Sequence, residues 1–193
     1  MRIGVLALQG AFIEHEKVLS RLGVEAREVR LPKDLEGLAG LIIPGGESTT
    51  IGKLAVQYGL IEPLREMARS GQPMWGTCAG MIFMAKDVGR EQPLLSLMDV
   101  QVKRNAFGRQ VDSFEADLEV KGVNGTRPFH AIFIRAPLIE SVGDPVDVLA
   151  RVDRKGEWVI VAARQGNLLA TSFHPELSAD DRFHRFFLSL AKG

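Results

Sequence analysis

What most narrows the folds open to this chain is the way its first half alternates short apolar runs with amphipathic stretches. Ile3 to Leu8 reads as a strand, and Phe12 to Leu22 puts Phe12, Val18, Leu19 and Leu22 on one helical face. Val24 to Val29 alternates as a second strand, "GLIIP" at 40–44 is a buried third, and 49–69 has helical periodicity broken near Gly59 and Pro63. "PMWGT" supplies a fourth strand. Strand and helix in strict succession predict βα units and a parallel sheet with helices on both faces. From about 98 to 173 the texture changes to short alternating runs separated by turn signals such as Asn124-Gly125, Lys155-Gly156 and Gly166-Asn167, which predicts strands and hairpins. A closing helix is expected over Ala179 to Ala191, with Asp180 or Asp181 near its start.

Composition bounds the classes. At 193 residues and 46% hydrophobic content, the chain can fill one core and hardly two, so a single domain over 1–193 is expected. Lys plus Arg and Asp plus Glu each total 24, which leaves no electrostatic footprint for nucleic acid or an anionic membrane. The single cysteine excludes an internal disulfide and two-cysteine zinc patterns, pointing to a reducing compartment, the cytoplasm. The apolar stretch of "MRIGVLALQG" is too short for a signal peptide.

That cysteine, Cys78, lies in "GTCAG", between the fourth strand and a helix that begins near Ala79. The pattern G-x-nucleophile-x-G is that of a nucleophile elbow, in which glycines on either side relieve clashes in a tight strand-to-helix turn. The helix N-terminus favours a thiolate, and the first N–H beyond it can stabilise an oxyanion. The competing reading is a small buried hydrophobe, and spacing alone leaves the two level.

A thiolate nucleophile needs a proton shuttle. Of His15, His130, His174 and His184, His174 in "SFHPE" has the suggestive setting, because Pro175 keeps the segment extended and Glu176 is placed to orient the imidazole. The alternative is an exposed pair at a strand end. His15 and His184 read as solvated helix residues, and His130 as structural. "IIPGGESTTIGK" at 42–53 fails as a phosphate loop, since Glu47 stands where the first glycine and Leu54 where the magnesium-binding hydroxyl would be. Gly45 and Gly46 instead allow close backbone approach, with the Gly46 N–H available to an oxyanion and Ser48 or Thr49 available to cap the following helix.

"GTCAG", "PGGEST" and "FHPE" together resemble class I glutamine amidotransferases, and with "VLALQG", "RNAFGRQ" and "FIRAP" they resemble the glutaminase subunits of pyridoxal 5′-phosphate synthases. The resemblance runs from the first strand to the last helix; Ala106 is its visible departure, where Ser is the commoner residue. It implies a single-domain flavodoxin-like α/β fold: a mostly parallel central sheet with helices on both faces and a small antiparallel β extension. It also implies hydrolysis of L-glutamine to glutamate and ammonia by a Cys78, His174 and Glu176 triad through a glutamyl thioester. The oxyanion hole would be Gly46 and Ala79, glutamine would be held by Gly46, Glu47, Ser48, Arg104, Ile134 and Arg135, and Gln9 would gate the hole. No cofactor or metal is implied. The implied partner is a (β/α)₈-barrel pyridoxal 5′-phosphate synthase subunit that uses the ammonia with a pentose phosphate and a triose phosphate, and the glutaminase would be quiet without it. The glutaminase subunit of imidazole glycerol phosphate synthase, a stand-alone cysteine amidase or peptidase, and a non-catalytic module on the same scaffold are the rival readings.

Overall fold

The computed structural model describes residues 1–104, 113–123, 125 and 127–192. The first half runs β1 (Arg2–Leu6), α1 (Phe12–Arg21), β2 (Glu25–Val29), β3 (Gly40–Ile43), α2 (Ser48–Gln57), α3 (Ile61–Arg69), β4 (Met74–Thr77) and α4 (Ala79–Met84). The expected break in 49–69 falls at Gly59, whose φ of +67° ends α2 in the left-handed conformation. Pro63 does not break anything: it lies in the first turn of α3, where a missing N–H costs no helical hydrogen bond. The second half is built of β5 (Ala85–Asp87), β6 (Met98–Lys103), β7 (Ser113–Leu118), β8 (Phe129–Ile134), β9 (Leu138–Val142), β10 (Asp147–Arg154), β11 (Glu157–Gln165) and β12 (Leu168–Thr171). The chain closes with α5 (Arg182–Leu190), shorter at its start than expected because Asp180 Oδ1 accepts from the Arg182 N–H at 3.1 Å in a turn before the helix. β5 has no sequence signature; two of its three residues are exposed.

Among the described residues, ten strands form one sheet in the order β2-β1-β3-β4-β12-β11-β9-β6-β5, with β10 alongside β11, and β7 and β8 pair as a separate hairpin. From β2 to β12 every pairing is parallel, whereas β12, β11, β9 and β6 follow one another antiparallel. β1, β3, β4 and β12 are buried, which is why they read as apolar runs, whereas the edge strand β2 is largely exposed and alternates. Successive residues serve opposite faces: Leu41 and Ile43 pack with Ile51, Ala55, Leu64 and Met81 from α2, α3 and α4, while Ile42 and Trp75 pack with Leu19, Phe183 and Phe187 from α1 and α5. The second face is aromatic. Trp75 stacks on Phe183 with ring centroids 6.1 Å apart, and Phe183 meets Phe129 and Phe173 edge-on at 4.8 and 5.1 Å. Each of these fully buried rings contributes ~1.5–3 kcal/mol by removal from water. The consequence for function is a rigid floor beneath the carboxyl ends of β1, β3, β4 and β12. No helix is long and apolar enough to cross a membrane among the described residues.

Candidate active site

Cys78 sits on the turn between β4 and α4 with φ +49° and ψ −106°, a strained conformation for a residue with a side chain. The flanking glycines explain how the turn closes. A Cβ on Gly76 would lie 2.6 Å from the Gly80 carbonyl carbon, and a Cβ on Gly80 would fall on the Ile43 carbonyl oxygen of β3. Two backbones therefore approach through the space two side chains would need. The Ile82 N–H donates to the Cys78 carbonyl at 3.2 Å, so the helix starts directly beyond the cysteine.

Sheet register brings the histidine to it. β12 runs parallel to β4 with Thr171 opposite Thr77, and the Cys78 N–H donates to the Thr171 carbonyl at 2.8 Å. The segments that leave these two strands consequently start side by side. His174, three residues beyond β12, is fixed by its own N–H, which donates to the Ile132 carbonyl of β8 at 2.8 Å. Glu176 follows in a short 3₁₀ turn, and its Oε1 accepts from His174 Nδ1 at 2.7 Å. Cys78, His174 and Glu176 are all buried, with exposures of 8%, 8% and 6%. Hence the exposed-pair reading of His174 and Glu176 does not hold, and Cys78 is buried, as the competing reading expected, with His174 bonded to Glu176 close by.

The electrostatics follow from that contact. Burial works against a charge on His174, but the Cys78 side chain and Glu176 more than offset it and raise the imidazole to about 10. Burial likewise pushes Glu176 up, while His15 and the hydrogen bond from His174 hold it below the usual carboxylate range. A folded pKa above the unfolded value gives stability that is complete below the ordinary 6.5 and is lost as pH rises through the folded value. The melting temperature is therefore expected to fall between pH 6.5 and about 10. Thermal unfolding across that window should show a smaller fall in His174→Gln, which has no proton to lose there.

The turn after β3 forms the second wall. Glu47, not Ser48 or Thr49, caps α2: its carboxylate accepts from the Thr49 and Thr50 N–H groups at 3.1 and 2.7 Å and from the Thr50 hydroxyl at 2.8 Å. A carboxylate outcompetes a hydroxyl here because it has lone pairs enough for several donors and suits the positive end of the helix. Burial pushes Glu47 up, but these donors hold it down at about 2. Arg104, just beyond β6, reaches Glu47 at 3.1 Å, Gln92 Oε1 at 2.9 Å and Thr49 Oγ1 at 3.2 Å. Ser48 is buried beneath, accepting from Gln92 Nε2 at 3.4 Å. Gln9 lies over the turn, its Oε1 accepting from the Glu47 N–H at 2.7 Å and filling the place a Cβ on Gly46 would take. Gly45 meets both His174 and Cys78, since a Cβ there would lie 2.5 Å from His174 Cε1 and 3.3 Å from the Cys78 Cβ. On the opposite side the Ile134 carbonyl is 3.9 Å from Cys78 Sγ, and Arg135 follows with φ +44°. Ala79 opens α4 beside the thiol. Asn105 to Gln110, and with them the departure at Ala106, lie outside the described residues.

Two histidines need correction. His15 on α1 and His184 on α5 are not solvated: both have 0% exposure and lie against Trp75, with His15 Nδ1 and His184 Nε2 3.0 Å apart. Their helices are amphipathic as expected, but the faces that carry them turn toward β4. His130 lies within β8, exposed and bonded to Asp117 and Glu115 at 2.9 Å each. Gln92 has no signal in the sequence, lying in an irregular segment with no periodicity.

A cysteine at a strand-to-helix elbow, backed by histidine and glutamate from the neighbouring strand of a doubly wound sheet, defines a class of cysteine-dependent α/β hydrolases and amidotransferases. A profile of the SNO glutamine amidotransferase family matches residues 5–192, and the chain belongs to that family. It is 60% identical over 194 residues to the pyridoxal 5′-phosphate synthase subunit PdxT of Herpetosiphon aurantiacus, covering 98% of this chain and 100% of that one. It is 59% identical over 191 residues to PdxT of Moorella thermoacetica, covering 98% and 99%. A crystal structure described as a glutamine amidotransferase superposes with a TM-score of 0.92 at 53% identity, covering 99% of both chains.

Proposed function

We propose that the chain acts as one domain over 1–193, the glutaminase subunit of a pyridoxal 5′-phosphate synthase. Cys78 Sγ attacks the side-chain carboxamide of L-glutamine, and His174 passes its proton to the departing ammonia. The γ-glutamyl thioester that remains is cleaved by water to give glutamate, with Glu176 holding the imidazole in orientation throughout. The observation that carries this reading is the convergence of Cys78, His174 and Glu176 at two paired strand ends beside the Gly45-Gly46 turn. Oxyanion stabilisation falls to the N–H groups of Gly46 and Ala79. Identity to PdxT chains near 60% favours this over an imidazole glycerol phosphate synthase subunit or a stand-alone peptidase.

The ion pair of Glu47 with Arg104 suits a zwitterionic head group. The α-ammonium of glutamine matches the carboxylate and its α-carboxylate the guanidinium, with Ser48, Ile134 and Arg135 completing the cleft. Gln9 is assigned the gating of the oxyanion hole, a role its bond from the Glu47 N–H supports. Arg104→Ala is expected to raise KM for glutamine by about 10- to 100-fold, as the loss of one charged hydrogen-bonding group does, with a smaller change in kcat. Steady-state glutamate release against glutamine concentration measures both.

Ammonia released into water at neutral pH is mostly protonated and no nucleophile, so the product has to pass within a complex. The partner that fits is a (β/α)₈-barrel synthase condensing ammonia with a pentose phosphate and a triose phosphate, in the cytoplasm. Glutamate release should be slow for the chain alone and strongly stimulated by such a barrel with its two sugar phosphates. A barrel that neither binds nor stimulates would remove the assignment.

A further inference from the structure

The triad does not end at Glu176. One carboxylate oxygen, Oε1, accepts from His174, but Oε2 is buried and makes no hydrogen bond, which is costly for an ionised carboxylate in the interior. His15 Nε2 lies 3.4 Å from it, and the same nitrogen lies 3.4 Å from Thr77 Oγ1 at the end of β4. On its other side His15 Nδ1 faces His184 Nε2 at 3.0 Å. All four side chains are essentially closed to solvent, and Trp75 is held against both imidazoles with its Nε1–H donating to Thr171 Oγ1 at 3.1 Å. A rigid polar line therefore runs from α5 through α1 to the triad, crossing elements far apart in sequence.

Hydrogen-bond accounting sets the protons along this line. A nitrogen facing a carboxylate oxygen must donate, so His15 carries its hydrogen on Nε2 and presents a lone pair at Nδ1. His184 then donates from Nε2, which leaves its Nδ1 as a lone pair, and that atom is the one with no partner. An unpartnered nitrogen lone pair is the less costly orphan, so the assignment is self-consistent. Burial also lowers His15, against the pull of Glu176, and drives His184 well below the ordinary histidine value, which favours the neutral form of both imidazoles.

We propose that His15 is a positioning residue for the catalytic reaction: its Nε2–H holds the second carboxylate oxygen of Glu176 and, through that carboxylate, the orientation of His174 toward Cys78. In the same way an outer hydrogen bond to a metal-bound histidine orients a ligand it does not replace. The proposal rests on the triad reading above, and its test separates the two.

The ¹⁵N imidazole spectrum of the wild-type chain reads the tautomer directly: His15 is expected neutral and protonated on Nε2. A His15 protonated on Nδ1, or on both nitrogens at pH 7, overturns the proposal without reference to activity. With the barrel synthase present, His15→Phe is expected to lower kcat by about 10- to 100-fold with KM for glutamine within about twofold. His15→Gln, whose side-chain amide can donate from the place of Nε2, should return kcat to within about threefold of wild type. The His174 ring should titrate lower in His15→Phe than in wild type and recover in His15→Gln. If the two variants are equally impaired with His174 titration unmoved, His15 only packs, and the proposal fails. Should His15→Phe not fold, the wild-type tautomer and the His15→Gln kcat decide. Full activity in Cys78→Ala would instead remove the triad reading and leave the tautomer result standing.

Discussion

Cys78→Ala is expected to reduce glutamine hydrolysis by at least about 10⁴-fold while leaving the fold intact. Groups that act as a unit lose nearly all their chemistry with one member, because no other residue can form the covalent intermediate. Cys78 is the only thiol in the chain, so no neighbour can stand in for it. Alanine removes one partly covered sulfur and leaves the strand end, the glycine pair and the Cys78 backbone bond to Thr171 as they are. Glutamate release by the chain with its barrel, read beside circular dichroism of the variant, separates lost chemistry from lost structure. A variant with more than a hundredth of wild-type activity would show that the thiol is not the nucleophile.

Gly80→Ala is expected to destabilise the chain by about 4 kcal/mol or more, or to prevent folding, from a change of one methyl group. Helix propensity points the other way, since alanine in a helix is favoured over glycine by ~1 kcal/mol. Sterics decide the sign: the new Cβ would strike the Ile43 carbonyl oxygen, and that backbone is held in the middle of the parallel sheet between β1 and β4. Gly23→Ala is the matched control. Gly23 has φ +70° with open space around it, so its variant should lose only the ~1 kcal/mol of left-handed backbone strain. Urea midpoints of the two variants measure the contrast, and equal midpoints would mean that α4 can move away from β3.

The parallel half of the fold and the strand ends that bring Cys78 and His174 together were legible in the sequence for the same reason. Burial on both faces wrote β1, β3 and β4 as apolar runs, and the chemistry collects where those runs stop, at Cys78 and His174. Glycine is legible wherever backbones crowd, which is why "GTCAG" and "PGGEST" carried so much. Side chains whose environment is set by distant elements were not legible. His15 and His184 sit on helices that look like half-solvated ones, and only the packing of α1 and α5 across Trp75 shows that the polar residues face inward. The capping role of Glu47 was hidden by the better capping residues beside it, because its advantage arises from Thr50, the helix end and Arg104 acting together. Gln92 joins the site from an irregular segment whose path no periodicity encodes.

The central claim, that Cys78 carries the glutamyl group, is tested most directly by mass spectrometry. The chain and its barrel synthase, turning over L-glutamine, are quenched in acid and the peptide containing Cys78 is isolated. A glutamyl adduct on Cys78 that disappears as glutamine is exhausted, and is absent in Cys78→Ala, is the predicted result. Continued glutamate release with no adduct on Cys78, or an adduct on another residue, would contradict the account.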